Sequence, residues 1–70
     1  MKDIVVFSKQ NCPACEDLKK ALNESEIPYT EVKVDFDNMA RDELIESGFR
    51  SVPQMKCDGV WVKDFMEVFE

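Results

Sequence analysis

Two cysteines separated by two residues, Cys12-Pro13-Ala14-Cys15, are the side chains of this sequence whose type and spacing can do chemistry. On the first turn of a helix this spacing brings two sulfurs within bonding distance, so the pair can close as a disulfide and reopen as a dithiol. Pro13 suits the first helical position, where a missing N–H costs nothing and the fixed φ is already helical. Cys12 is thereby expected at the N-cap. There the unpaired N–H groups of Ala14 and Cys15 and the positive end of the helix dipole favour a thiolate over a thiol. The thiolate is the nucleophile, which makes Cys12 the candidate attacking sulfur. Cys15 lies one turn further in and is expected to be more buried. It is the candidate resolving sulfur, placed to attack a mixed disulfide formed at Cys12.

The same pair can instead be half of a metal site. Zinc takes four ligands, whereas this chain offers Cys57 as a third thiolate, then carboxylates, and no histidine at all. Two chains can also share an iron–sulfur cluster through Cys12, although Pro13 within the motif and a neighbouring resolving thiol favour exchange over stable ligation. An inert structural disulfide closing so short a loop restrains the unfolded chain little. Redox exchange is therefore the preferred reading, with metal or cluster binding by the Cys-x-x-Cys pair as its alternative.

Seventy residues with 44% apolar content suffice for one compact domain, expected over residues 1–70. Three cysteines in one close pair plus a lone Cys57 do not make a secreted disulfide framework. No charged segment followed by an apolar run opens the chain, and no stretch approaches the roughly 20 apolar residues of a membrane span. A soluble, cytoplasmic monomer is the expectation. Nine basic against fifteen acidic side chains give a formal charge of −6, which repels phosphate backbones and anionic lipid. Neither nucleic acid nor membrane is an expected partner. The absence of histidine excludes imidazole general-base catalysis.

The elements that must position the dithiol follow from periodicity. Ile4-Val5-Val6-Phe7 is an unbroken apolar run with the pattern of a central strand covered on both faces. From Pro13 to about Glu26, Ala14, Cys15, Leu18, Ala21 and Leu22 recur at helical spacing, while Glu16, Asp17, Lys19, Lys20 and Asn23 make a solvated face. Thr30, Val32 and Val34 alternate with Glu31 and Lys33 as a half-buried strand, which a crossover helix of this length makes parallel to the first. A second helix is expected behind an N-cap at Asp37 or Asn38, with Ala40, Leu44 and Ile45 as its apolar stripe and Gly48 as its left-handed terminator. Asp58-Gly59 between strand-like runs signals a hairpin, and Asp64 with Glu67 resembles a capping box opening a short last helix through Phe65, Val68 and Phe69. Met39, Met55 and Met66 are expected as core filler, as is Cys57, which faces the same way as Met55. The order is β-α-β-α-β-β-α.

With these elements in place the chain resembles the glutaredoxins of the thioredoxin superfamily, through Phe7-Ser8-Lys9, Cys12-Pro13-Ala14-Cys15, Ser51-Val52-Pro53-Gln54 and Asp58-Gly59. The resemblance implies an α/β thioredoxin fold: a four-stranded mixed sheet in order 2-1-3-4 flanked by helices, the last two strands antiparallel to the first two. It implies a dithiol thiol-disulfide oxidoreductase with no bound cofactor, with Val52-Pro53 as a cis peptide beside the dithiol and the Val52 backbone pairing with a substrate cysteine segment. Lys9 matches a lysine that favours the thiolate and meets a carboxylate of glutathione, the implied co-substrate. Asp64 matches an acidic residue that caps the last helix and binds the tripeptide's amino group. Lys9, Pro13, Ser51, Val52, Pro53 and Asp64 are thus the implied substrate-binding residues.

Two departures separate the chain from glutathione-dependent members. Ala14 stands where dithiol glutaredoxins carry tyrosine, and Trp61-Val62 replaces their Gly-Gly pair. Both features are similar to the short glutaredoxin-like redoxins that donate electrons to ribonucleotide reductase and are reloaded by the flavoprotein thioredoxin reductase. Trp61 echoes a tryptophan of that group, or is simply a core or edge aromatic. A disulfide-bearing protein substrate and either glutathione or a flavoprotein reductase are the implied partners.

Overall fold

The computed structural model describes residues 3–69, apart from the Glu67 side chain. Strand β1 (Ile4–Ser8) leads into helix α1 (Pro13–Glu24), strand β2 (Thr30–Lys33), helix α2 (Asn38–Glu46), strand β3 (Gln54–Cys57), strand β4 (Val60–Trp61) and a closing 3-10 turn (Phe65–Phe69). The sheet runs β2-β1-β3-β4, as the resemblance implies. Strand β1 is central and pairs parallel with β2 and antiparallel with β3. Strand β4 is antiparallel to β3, and so runs with β1 and β2 rather than against them. The expectation for β4 is corrected here, because the tight turn at Asp58-Gly59 must reverse the chain once more.

Alternation along β1 divides the core into two layers. Ile4 and Val6, with Met55 and Cys57 opposite them in register, face Leu18 and Leu22 of α1 and Val68 of the closing turn. Burying a side chain such as Leu22 stabilises the fold by about 1.5–3 kcal/mol. Phe7, on the other face, packs with Ala40 and Leu44 of α2, and Val5, Val32, Phe49 and Trp61 gather round them. Trp61 is therefore a core-edge aromatic of this second layer, its ring 4.9 Å from Phe7 and 4.8 Å from Phe49. Its indole N–H donates to Ser47 Oγ, and Lys56, paired with Glu43, lies over its ring.

Helix α1 stops two residues before Glu26 because Glu26 itself adopts φ 57°, which no helix can continue through. Helix α2 is capped by Asp37, whose Oδ1 accepts the Ala40 N–H, and ends at Gly48 with φ 90°. Several apolar residues are not core. Met39 is 84% exposed, and Met66, Ile45 and Ala14 also face solvent. A short helix at a sheet face buries only a narrow stripe, which Ala40 and Leu44 fill for α2, and Met39 and Ile45 fall outside it. Cys57 is half-buried rather than buried, because it ends β3 at the hairpin. The closing segment winds as 3-10 rather than α-helix. Asp64 caps it by accepting the Met66 N–H, while the Glu67 half of the expected capping box lies outside the described residues.

Candidate active site

Strand β1 ends at the buried Ser8, and the exposed Lys9-Gln10-Asn11 turn carries the chain to Cys12. Asn11 turns with φ 58°, a left-handed conformation that asparagine tolerates better than most residues. Cys12 then takes an extended conformation, φ −118° and ψ 98°, as the N-cap of α1 with Pro13 following it. Its sulfur accepts the Cys15 N–H at 3.1 Å, and its carbonyl accepts the Glu16 N–H at 3.1 Å. The two cysteines are joined as a disulfide, with Cα atoms 5.2 Å apart. Cys12 keeps 8% of its surface in solvent and Cys15 none. An incoming sulfur therefore meets Cys12 first, with Pro13 and Ala14 exposed beside it.

Val52–Pro53 is a cis peptide, and Gln54 closes the bend by donating from its side-chain amide to the Ser51 carbonyl. Lys9, Ser51 and Val52 line one cleft of about 410 Å³. Arg41 and Arg50 line it with them, over a floor that includes Leu44 and Phe49. Three cations thus meet on one cleft of an acidic chain. The two arginines carried no signal in the sequence, because nothing in their spacing places them beside Lys9. Pro13 and Asp64 do not line this cleft, and Asp64 serves the 3-10 turn instead.

A second polar cluster was likewise invisible to periodicity. Ser8 Oγ donates to Glu31 Oε2 at 2.7 Å, and Lys19 bridges Glu31 at 2.7 Å and Glu16 at 2.8 Å. Lys19, expected on the solvated face, is half-buried, and this network satisfies the one buried hydroxyl of β1. Hydrogen bonds from Lys19 to Glu16 and then Glu31 raise its ammonium above the usual lysine range. Lys19, and after it Ser8, hold the Glu31 carboxyl below the usual carboxylate range. Among the described residues no group of three or more Cys, Asp or Glu side chains is arranged to hold a metal ion, so the metal reading of the dithiol has no ligand set. Nor is any helix among them long and apolar enough to cross a membrane.

Comparison with known proteins agrees with this geometry. The glutaredoxin-like protein NrdH of Lactococcus lactis subsp. cremoris is 38% identical over 55 residues, covering 79% of this chain and 76% of the relative. Glutaredoxin 3 of Escherichia coli is 30% identical over 59 residues, 83% of this chain and 71% of the relative. The solved NrdH-redoxin of Escherichia coli shares the fold, with a TM-score of 0.81 at 22% identity over 90% of this chain and 83% of that one. The glutaredoxin family model matches residues 4–62. With a cysteine pair closed across the head of a helix on a 2-1-3-4 sheet, the chain is thus a thiol-disulfide oxidoreductase and belongs to the glutaredoxin family.

Proposed function

We propose that Cys12 is the attacking sulfur and Cys15 the resolving one in the reduction of a protein disulfide, and that a flavoprotein of the thioredoxin reductase class reloads the dithiol. The Cys12 thiolate attacks one sulfur of the substrate, forming a mixed disulfide and releasing the other sulfur as a thiolate. The Cys15 thiolate then attacks Cys12, which frees the second substrate thiolate and closes the Cys12–Cys15 disulfide, so two electrons pass to the substrate. The observation that carries this assignment is the hydrogen bond from the Cys15 N–H to Cys12 Sγ, since an amide at a helix head stabilises charge on that sulfur.

The relatives support a substrate class. A disulfide of ribonucleotide reductase is the proposed acceptor, in keeping with the NrdH relative and with Ala14 and Trp61 at the positions that depart from glutathione-dependent members. Lys9, Ser51, Val52 and Pro53 form the proposed substrate groove, with Pro13 beside the sulfur. Glutathione as the direct reductant is the second reading, favoured by the cations of the cleft, which suit its carboxylates, and by the glutaredoxin 3 relative. Against it, Asp64 stands apart from that cleft.

The test has two parts. Cys12→Ser is expected to abolish disulfide reduction, and Cys15→Ser to accumulate a mixed disulfide visible by mass spectrometry; full turnover by Cys12→Ser would refute the assignment. Oxidised wild-type protein is expected to be reduced by NADPH and thioredoxin reductase faster than by NADPH, glutathione reductase and glutathione. The reverse order would make glutathione the reductant.

A further inference from the structure

The turn that delivers Cys12 to its helix is held from outside by a single side chain. Among the described residues, the backbone of Lys9–Asn11 makes one hydrogen bond to another element: the Gln10 N–H donates to Asp35 Oδ2 at 3.0 Å. Next to it in both strands, the Val34 N–H donates to the Ser8 carbonyl at 2.8 Å. Asp35 therefore extends the β1–β2 ladder beyond its last backbone pair and into the turn. That turn needs an anchor, because the left-handed Asn11 is intrinsically unfavourable and the exposed Lys9-Gln10-Asn11 turn has little else to fix it.

We propose that Asp35 is a positioning residue for Cys12. Its carboxylate sets the turn so that residue 12 enters α1 in the extended conformation that lets its sulfur accept the Cys15 N–H. The inference rests on the reading of Cys12 as the attacking sulfur and adds a residue to that site. The charged groups around the turn are Lys9, Asp35, Arg41 and Arg50, which line one cleft, and Glu16 in the first turn of α1.

Anchoring and bare charge act in opposite directions, which makes the proposal testable. As a negative charge near a thiol, Asp35 disfavours the thiolate, so its loss would lower the pH at which Cys12 ionises. As an anchor it favours the thiolate, since a loosened turn lets the sulfur leave the N-terminal amide. Asp35→Asn removes the charge and keeps an oxygen for the Gln10 N–H; Asp35→Ala removes both.

The readout is the rate of Cys12 alkylation by iodoacetamide against pH in the reduced protein, followed by peptide mass spectrometry. Asp35→Ala is expected to move the ionisation midpoint of Cys12 upward by about one pH unit and so to slow alkylation at neutral pH by up to about tenfold. Asp35→Asn is expected to stay at or below the wild-type midpoint. Should the alanine variant not fold, Asp35→Val, which likewise offers the Gln10 N–H no acceptor, replaces it with the same expectation. A midpoint in Asp35→Ala or Asp35→Val that is unchanged or shifted downward, like that of Asp35→Asn, overturns the proposal. Alkylation needs no turnover, so a failure of the Cys12 assignment would be seen separately, as disulfide reduction surviving in Cys12→Ser.

Discussion

Glu31 shows how a single carboxylate on an edge strand can carry stability that depends on pH. It accepts hydrogen bonds from Lys19 and Ser8, and both hold its folded-state ionisation below the ordinary carboxylate range. A depressed folded value means that the contribution is complete above the unfolded value, about pH 4.3, and is lost as the pH falls through the lower folded one. Lys19 works in the opposite sense: its raised value keeps it charged up to and beyond the ordinary lysine range, so it adds no pH dependence near neutrality. Glu31→Gln is therefore expected to cost about 1 kcal/mol at pH 7, since both partners are largely shielded from solvent. In urea unfolding at a series of pH values, the gap to wild type should close below about pH 4. A gap that stays constant from pH 7 to pH 3 would show that packing, not charge, is what Glu31 contributes.

Both helices end by the same device on different residues. At α1 the Glu26 N–H bonds to the Asn23 carbonyl and the Ile27 N–H to Leu22; at α2 the Gly48 N–H bonds to Ile45 and the Phe49 N–H to Leu44. Each is a Schellman arrangement that needs a left-handed residue at its hinge, φ 57° for Glu26 and φ 90° for Gly48. Glycine holds that conformation without penalty and glutamate does not. Glu26→Gly is accordingly expected to stabilise the protein by about 0.5–1 kcal/mol, and Gly48→Ala to destabilise it by about 1 kcal/mol, measured by thermal unfolding. Open space around Gly48 leaves backbone strain as the whole cost there. The pair also marks what could be read from the sequence. Gly48 announces the end of α2 because glycine is the ordinary solution, whereas Glu26 conceals the end of α1 because its conformation is imposed by Ile27 packing on the core. The dithiol and its N-cap were legible for the same reason as Gly48, since each is a local pattern with one common outcome, whereas the strand order came only with the family resemblance. The Ser8–Glu31–Lys19 network, the Asp35 anchor and the two arginines of the cleft join residues 12 to 41 positions apart in the chain, and no local pattern reports such meetings.

Across the whole molecule, a net charge of −6 and a cleft lined by Lys9, Arg41 and Arg50 oppose one another toward any anionic substrate. Distance and salt decide which prevails. At an ionic strength of about 0.01 M the screening length is near 30 Å, as long as the protein's greatest extent of 29 Å, so an approaching anion feels the whole negative charge. At about 0.1 M it shrinks to roughly 10 Å, which hides the distant carboxylates and leaves the cations lining the cleft in play. At 1 M it is about 3 Å, and the cleft's attraction is screened as well. The rate of reduction of glutathione disulfide, which is anionic, is therefore expected to rise between 0.01 and about 0.1 M salt and to fall again toward 1 M. Reduction of the neutral 2-hydroxyethyl disulfide should change little over the same range. Arg50→Gln removes one of the three cations without touching either sulfur, so it should flatten the descending limb for the anionic substrate and leave the ascending limb in place. A monotonic fall for wild type from the lowest salt upward would mean that the cleft's field dominates at every distance, and a monotonic rise that it contributes nothing to capture.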